Sequence, residues 1–475
     1  MSKTADFLQL DAGAAEPLYR QIYTRFRNAI TDGPLAPGAR IPSARALALE
    51  LGLARGTVEA AYSLLVAEGY AETRGQAGTV VTPALARRAA VAPAAPLRAA
   101  RDQNTAAPCS EIVSLNRPFQ LGLPALDAFP RKLWARLAAR SIRAMQADHM
   151  VYPPFAGHAP LRAAIATYLQ LSRGIDCTPS QVYITSGYRN TLELVARALL
   201  QPGDGVWVED PGYTPTGELL KQAGMTLAPV AVDADGLVVS HGVATAPRAR
   251  AAIVTPAHQS PLCVSLSLPR RLALLDWAAQ AGAWIVEDDY DGEYRYVGRP
   301  LPALKSLDRA GRVLYAGTFS KVLFPALRLA YLVVPEAQVA RFEHVSRTFS
   351  SGGPALTQAI VSDFMNEGHF ARHIQRMRRL YAERRRIAAD GLAAALGRHL
   401  RIDPQPGGMH LVLRMKGHHT DRALAARMLQ DGMAALALSE RTVLPHAASA
   451  LLLGFTNIDT PQRARELGKR ILRLM

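Results

Sequence analysis

One segment differs in composition from the rest of the chain and divides it in two. Residues 83–110 contain 11 Ala and 4 Pro among 28 residues, with few large apolar side chains. Such a stretch cannot bury enough surface to offset the entropy lost on ordering, and its prolines favour an extended backbone. We therefore interpret residues 83–111 as a linker between a unit at residues 1–82 and a larger unit at residues 112–475.

The overall composition is that of a folded protein. With 49% hydrophobic and 20% charged residues, the chain fits neither wholesale disorder nor collagen nor a coiled coil. Its formal net charge of +16 makes a polyanionic partner such as DNA plausible. Residues 1–110 carry 12 basic and 9 acidic side chains, so charge alone does not locate a binding site.

Three cysteines, Cys109, Cys177 and Cys263, lie far apart in the sequence. Their number and spacing fit neither a disulfide framework nor a zinc site, so we predict no metal and a reducing compartment. The sequence shows no secretory leader and no apolar stretch of membrane-spanning length. We therefore expect a cytoplasmic protein without a membrane partner.

Hydrophobic periodicity in the first unit predicts three helices followed by two short strands. The first helix covers residues 18–32, the second begins after the N-cap Ser43 and stops at Gly52, and the third covers residues 55–68. The sequence AETRGQAGTVV then predicts two strands around a glycine-rich tip. This order is typical of a winged helix-turn-helix, whose third helix enters the major groove of DNA.

The helix-turn-helix prediction gives several residues a role on DNA. Arg55, at the start of the third helix, is placed to contact base edges. Hydroxyl and guanidinium groups nearby suit phosphate oxygens, and the wing tip can reach the backbone or the minor groove. A single arginine is more often only a solvated surface residue, so the ordered set carries the interpretation. The candidate DNA-binding residues are Ser43, Arg45, Arg55, Thr57, Arg74 and Gly78.

Four stretches of the first unit resemble the GntR-type winged helix. They are PLYRQI, PGARIPSARALA, LGLARGTVEAAYSLLVAEGY and RGQAGTVV, within residues 16–82. The resemblance implies that this unit binds double-stranded operator DNA.

In the second unit, apolar runs of strand type alternate with helical segments. The runs are QVYIT, GVWVED, AAIVTP, AWIVED and RVLYAG. Nearly continuous apolar strands with intervening helices predict an α/β unit with a largely parallel sheet, buried on both faces. Functional residues in such sheets collect at the carboxyl ends of the strands.

The residues at these strand ends suit pyridoxal phosphate. Lys321 follows the run RVLYAG, and burial would lower its pKa so that the free amine can form an imine with the cofactor's aldehyde. Asp288, at the end of AWIVED, can pair with the ring nitrogen, and Tyr290 can hydrogen-bond the phenolic oxygen. Tyr213 in DPGY is the candidate stacking ring.

A second group of residues suits the cofactor's phosphate. Backbone N–H groups at a helix start bind phosphate well, and hydroxyls and an arginine near the lysine can complete the site. Taken singly, a Ser-Lys pair is usually a surface lysine and a tyrosine usually packs, so the order of the motifs carries the prediction. The phosphate candidates are Gly187, Tyr188, Arg189, Thr318, Ser320 and Arg328.

The second unit resembles the aminotransferase-like half of MocR-type regulators, the GntR subfamily fused to a fold-type I aminotransferase domain. The resemblance rests on VYPPFAGHAPLRAAIATYL, DPGY, TPAHQSP, EDDYDGEYRY and GTFSKVLFPALRLAY. It implies a mostly parallel sheet with a smaller α+β C-terminal subdomain, and Lys321 as the Schiff-base lysine. It also implies a homodimer, for which a domain-swapped arrangement is one option. It also implies that Tyr152 reaches the phosphate of the other subunit.

These features give one main hypothesis and one alternative. The main hypothesis is a transcriptional regulator that senses a small amine or amino acid, or pyridoxal phosphate itself, and modulates operator binding. The alternative is an active aminotransferase with an accessory DNA-binding domain. Catalytic aminotransferases usually carry an arginine near the C-terminus that clamps the substrate carboxylate, and this chain has Leu452 there; Arg414 and Arg441 are the candidate substitutes.

Overall fold

The chain forms two compact units in the computed structural model, Met1–Val113 and Ser114–Met475. The structure describes residues 8, 10–11, 13–14, 16–75, 78–83, 117–296, 302–350, 352–416, 420–445 and 449–475. Apart from Pro83, the predicted linker lies outside the described residues. No helix within these ranges combines the length and the apolar character needed to cross a bilayer.

The first unit has the predicted order of elements. Ser43 caps the second helix by accepting a hydrogen bond from the Ala46 N–H at 3.2 Å. Gly52 ends this helix in the left-handed conformation, with φ of +66°. The elements are α1 (Leu18–Thr31), α2 (Ala44–Leu51), α3 (Arg55–Ala67), β1 (Ala71–Thr73) and β2 (Thr79–Val81).

The core of this unit is built by the apolar faces that the helical spacing predicts. Ile22 and Phe26 of α1 are fully buried, as are Val58 and Leu65 of α3. Strands β1 and β2 pair in antiparallel register, with Ala71 opposite Val81. The result is a three-helix unit closed by a two-stranded wing.

The second unit is a three-layer α/β structure followed by a smaller subdomain. Its helices are α4 (Arg131–Arg143), α5 (Ala159–Arg173), α6 (Tyr188–Leu199), α7 (Thr214–Gln222), α8 (Val239–Thr245), α9 (Leu268–Ala281), α10 (Val339–Phe349), α11 (Ala355–Asn366), α12 (His369–Leu396), α13 (Asp421–Gln430) and α14 (Pro461–Leu474). Its strands are β3 (Val182–Thr185), β4 (Gly205–Asp210), β5 (Thr226–Asp233), β6 (Gly236–Leu237), β7 (Ala251–Val254), β8 (Trp284–Asp289), β9 (Val313–Thr318), β10 (Ala330–Val333), β11 (Leu400–Ile402), β12 (His410–Met415), β13 (Leu436–Ala437) and β14 (Ala450–Gly454).

The large sheet is mostly parallel, as predicted. Its strand order is β3-β10-β9-β8-β7-β4-β5-β6. Strands β5, β4, β7, β8 and β9 pair in parallel, whereas β10 runs antiparallel to both β3 and β9. Strands β3, β7 and β10 are buried at every position, which explains why they read as continuous apolar runs.

The smaller subdomain is an antiparallel sheet covered by helices. Its strand order is β11-β12-β14-β13, and its core includes residues from α12, α13 and α14. Residues 117–125, which precede α4, also join this core, because Phe119 bridges to Gly454 at the end of β14. The segment that follows the predicted linker is thus anchored to the C-terminal subdomain.

Candidate functional site

The sheet topology brings the motif residues to one edge. Ala330, the first residue of β10, lies opposite both Thr318 at the end of β9 and Thr185 at the end of β3. Because β10 runs in reverse, the residues just before it lie at the same edge as the residues just after β3 and β9. Arg328, Gly187 and Lys321 therefore lie at the same edge of the sheet although the chain separates them.

Lys321 is a largely buried amine at this edge. Its Nζ donates a hydrogen bond to the Gly122 carbonyl oxygen at 2.9 Å. Burial lowers the pKa of Lys321 below that of an ordinary lysine, although Asp291 and Asp288 oppose the shift. Gly122 has φ of +72°, and a Cβ at this position would lie 2.2 Å from Nζ. Only a residue without a side chain leaves the amine in this position.

Asp288 is a buried carboxyl group in acidic surroundings. Burial raises the pKa of Asp288 well above its usual range, and the neighbouring carboxylates Asp289 and Glu209 add to the effect. Lys321 acts in the opposite direction. A bound group with a protonated ring nitrogen would place a further positive charge beside this carboxyl group and favour its ionised form.

Tyr213 and Arg441 line a cavity at the carboxyl ends of the parallel strands. The Tyr213 ring is half exposed and lies 5.9 Å from the Tyr188 ring in an edge-to-face arrangement. The guanidinium carbon of Arg441 lies 6.0 Å from the Tyr213 centroid, and Arg441 donates to the Thr214 hydroxyl at 2.8 Å. A cavity of about 150 Å³ is lined by these four residues and by Asp288.

The phosphate candidates also meet at this edge. Gly187 precedes α6 with φ of +109° and leaves the helix start without a side-chain cap. A Cβ on Gly187 would lie 3.5 Å from an Arg328 guanidinium nitrogen, so the Arg328 guanidinium lies beside the start of α6. The Ser320 N–H donates to the Thr318 hydroxyl at 3.1 Å, whereas Arg189 is exposed. Helix N–H groups beside a guanidinium form an arrangement that suits an anion.

Tyr152 lies on the surface of the unit and contributes nothing to this pocket from within its own chain. It is 98% exposed and follows two other exposed apolar residues, Met150 and Val151. Ile142, at the end of α4, is also exposed. Such a group of apolar side chains is typical of an interaction surface.

The two arginines that the sequence suggested as carboxylate clamps differ in their surroundings. Leu452 is fully buried in β14. Arg414 lies on β12 and its Nε bonds to Asp403 at 2.6 Å, so its charge is already paired. Arg441 lines the cavity beside Tyr213 and is the better placed of the two.

Some residues that line this site were not predicted from sequence. Gly122 is 199 positions from Lys321, and its carbonyl contact carries no sequence signal. Glu209 accepts hydrogen bonds from the N–H and the hydroxyl of Thr255 and from Gln259, and burial raises its pKa to about 7. His258 lies 3.2 Å from the Tyr290 hydroxyl. The motif TPAHQSP contains His258 and Gln259. It was the sequence signal for the contacts of Gln259 with Glu209 and of His258 with Tyr290.

The first unit presents its candidate DNA-binding residues on the surface. Arg55 and Arg45 are exposed, and Arg55 forms an ion pair with Glu59 at 2.7 Å. Arg74 pairs with Glu72 in the same way. Exposed pairs of this kind contribute little to stability, so they can exchange for phosphate or base contacts. Ala54 precedes α3 without a side-chain cap, which leaves the N–H groups at the start of this helix available.

Comparison with known proteins assigns both units. The family of bacterial regulatory proteins called gntR matches residues 18–81, and aminotransferase class I and II matches residues 125–452. The probable rhizopine catabolism regulatory protein MocR of Rhizobium meliloti is 39% identical over 465 residues, which is 97% of this chain and 94% of that protein. The HTH-type pyridoxine biosynthesis transcriptional regulator PdxR of Corynebacterium glutamicum is 33% identical over 398 residues, or 83% and 82%.

A solved structure supports the assignment of the second unit. LysN, an alpha-aminoadipate aminotransferase from Thermus thermophilus complexed with N-(5'-phosphopyridoxyl)-L-leucine, aligns with a TM-score of 0.68 and 27% identity. The alignment covers 75% of this chain and 91% of LysN. Fold and sequence therefore define a winged helix-turn-helix joined to a fold-type I aminotransferase-like unit. The chain belongs to the MocR-type subfamily of the GntR regulators.

Proposed function

We propose that this chain is a ligand-responsive transcriptional regulator that uses pyridoxal phosphate as a resident cofactor. In this proposal residues 1–82 bind operator DNA, residues 83–111 are a linker, and residues 112–475 bind the cofactor and a small effector. The observation that carries the proposal is the buried Lys321 amine beside the Asp288 carboxyl group, at the same sheet edge as Arg328 and the start of α6.

The pocket residues fit pyridoxal phosphate. When bound, this cofactor supplies an aldehyde that reacts with primary amines and a ring that withdraws electrons. Lys321 would hold the aldehyde carbon, Asp288 the ring nitrogen and Tyr290 the phenolic oxygen, while Tyr213 stacks on the ring. The phosphate would be held by the backbone N–H groups of Gly187, Tyr188 and Arg189, by Thr318, Ser320 and Arg328, and by Tyr152 of a second copy.

A second copy of the chain is part of the proposal. Tyr152 is 98% exposed and lies among other exposed apolar side chains, so a homodimer would bury this surface and let Tyr152 enter the partner's pocket. Obligate dimer interfaces are typically more apolar than the rest of the surface. Sedimentation of the full chain should therefore give a dimer.

The effector in this proposal is a small amine or amino acid, or the cofactor itself. Arg441 lies 6.0 Å from the Tyr213 ring, where it could bind the carboxylate of an amino acid. An effector amine that replaces the Lys321 amine on the aldehyde carbon of the cofactor would release the Lys321 Nζ. The released Nζ could then donate to the Gly122 carbonyl, which belongs to the segment that follows the linker. Effector binding and operator binding would then be coupled reciprocally.

The test uses the purified full-length chain. We expect a visible absorption band after incubation with pyridoxal phosphate, which borohydride removes, and a change in operator affinity when a candidate amine perturbs the band. Lys321→Ala should lose the band. Lys305→Ala removes another largely buried lysine amine, which donates to the Val313 carbonyl, and this variant should keep the band.

Three outcomes would separate the possibilities. A parent protein that stays colourless with added cofactor would overturn the cofactor assignment. An effector that perturbs the band but leaves operator affinity unchanged would overturn the sensing role. Turnover of an amino donor with an oxo acid at ordinary enzyme rates, on the order of 1–1000 per second, would favour an aminotransferase instead.

A further inference from the structure

A buried histidine joins the loops that follow two neighbouring strands. Strands β7 and β8 pair in parallel, with Val254 opposite Glu287, so the loops after them leave the sheet at the same edge. His258 belongs to the first of these loops, and Tyr290 and Asp291 belong to the second. The imidazole Nδ1 of His258 lies 3.2 Å from the Tyr290 hydroxyl and 3.1 Å from a carboxylate oxygen of Asp291.

The position of His258 is fixed from several sides. The residue is only 6% exposed, and a Cβ on Gly408 would lie 1.9 Å from its ring. Gly408 must therefore lack a side chain for the ring to fit. The Tyr296 hydroxyl donates to the Gly408 carbonyl at 2.5 Å, which holds this backbone against the ring.

His258 also lines a small cavity of about 20 Å³. Among the residues that the structure describes, the His258 Nε2 and the second Asp291 carboxylate oxygen are buried without a hydrogen-bond partner. The volume of the cavity is enough for one water molecule. Arg173 and Arg295 line the same cavity.

The charges around His258 keep a proton on Nδ1. Burial lowers the pKa of His258, but Asp291 and Cys263 outweigh it, so that the pKa lies well above the usual value. Burial raises the pKa of Tyr290, with a further contribution from Asp291, so this side chain remains a phenol. The titratable and charged groups around His258 are Asp291, Tyr290, Cys263, His410, Asp288, Tyr296, Arg173 and Arg295.

The proton on Nδ1 determines the direction of the Tyr290 hydroxyl hydrogen. An Nδ1–H group donates and cannot accept, and its one hydrogen faces both the Asp291 carboxylate and the Tyr290 oxygen. The Tyr290 hydroxyl therefore cannot donate to His258 and directs its own hydrogen elsewhere. An interaction with the Ser260 side chain lowers the pKa of Tyr290, against the larger effect of burial. The Tyr290 hydrogen is thus directed away from the His258 Nδ1.

We propose that His258, held by Asp291, is a positioning residue that directs the Tyr290 hydroxyl hydrogen toward the phenolic oxygen of the bound cofactor. This inference rests on the proposed function, because it requires a pyridoxal cofactor in the pocket. A hydrogen bond donated to a phenolic oxygen stabilises the form in which that oxygen is ionised. Loss of His258 should therefore raise the pH at which the visible band of the cofactor changes.

The experiment is a pH titration of that band in the cofactor-loaded full-length chain. His258→Leu should move the midpoint upward by about half a unit to one unit, as expected for one weakened hydrogen bond. His258→Asn should stay near the parent midpoint, because its amide N–H can replace the Nδ1 donor. His241→Leu removes another histidine, one that accepts from the Ala231 N–H away from Tyr290, and should leave the midpoint unchanged.

The outcomes distinguish this inference from the proposed function. If the parent binds no cofactor, the proposed function fails before the titration begins. If the parent titrates and His258→Leu keeps the parent midpoint, the positioning role is refuted, whatever happens to thermal stability. If His258→Leu does not fold, His258→Phe, which keeps an aromatic ring but has no N–H donor, provides the same test, and an unchanged midpoint in that variant refutes the role.

Discussion

Replacing Gly122 with alanine should separate backbone strain from a direct effect on the Lys321 amine. Gly122 adopts φ of +72°, and an L-residue in this region costs about 1–2 kcal/mol. The new Cβ would lie 2.2 Å from the Lys321 Nζ, against an ordinary contact distance of 3.4 Å or more. The amine must therefore move by about 1 Å, which disturbs its hydrogen bond to the Gly122 carbonyl.

Gly282 offers a matched control for the backbone cost. It has φ of +62° at the end of α9, and a Cβ there would meet nothing within 4 Å. Gly122→Ala and Gly282→Ala should therefore lower stability by similar amounts, about 1–2 kcal/mol each. A flexible lysine end can shift easily, so the contact itself adds little to the loss of stability.

The two variants should differ in cofactor binding. A reactive group misplaced by about 1 Å can lose on the order of 100-fold in rate, so we expect Gly122→Ala to form the visible band at least about 10-fold more slowly than the parent. Gly282→Ala should match the parent. The measurement is stopped-flow absorbance after addition of pyridoxal phosphate, with thermal unfolding run in parallel. Equal rates for the two variants would refute the claim that Gly122 positions Lys321.

Three further changes test other parts of the molecule. Arg55→Ala should weaken operator binding by about 1–3 kcal/mol and relax specificity at one base position; a uniform loss across all DNA sequences, measured by titration at several salt concentrations, would instead make Arg55 a phosphate contact. Arg441→Gln should weaken amino-acid effectors about 10-fold or more in absorbance titrations but spare amines without a carboxylate; equal losses would contradict the clamp role. Burial raises the pKa of Glu287 to about 7, so the folded state binds its proton more tightly than the unfolded chain does, and stability should fall as the pH rises from about 4.5 to 7. Glu287→Gln should flatten this part of the melting-temperature profile between about pH 5 and 8, and an unchanged slope would show that Glu287 ionises normally.

The elements of both units could be predicted from sequence because their signals are local. The apolar spacing of α1 and α3 and the Ser43 cap depend on residues within one or two helical turns. The strands of the large sheet are buried on both faces and therefore appear as short apolar runs. The parallel arrangement then places the residues after these runs at one edge, so the motif order alone was enough to nominate Lys321 and Asp288.

The contacts that orient these residues could not be predicted, because they join distant parts of the chain. The Lys321 amine meets a carbonyl oxygen 199 positions away, and a backbone carbonyl leaves no trace in residue type. Arg441 was a candidate clamp, but only the packing of its loop against Thr214 and Tyr213 distinguishes it from Arg414. Local patterns thus identify reactive side chains, whereas tertiary packing determines what each of them contacts.

Cys263 is another residue whose conformation and contacts could not be predicted from sequence. No local sequence pattern indicates that Cys263 adopts φ of +62°, which costs about 1–2 kcal/mol for an L-residue. Its Sγ lies 3.1 Å from the His410 Nε2 on β12, and although burial raises its pKa, His410 and His258 lower it to about 6. The strained backbone is thus held by contacts that tie the β7 loop to the C-terminal subdomain. Because both His410 and His258 lower the pKa of Cys263, this cysteine lies between the C-terminal subdomain and the loop histidine that contacts Tyr290.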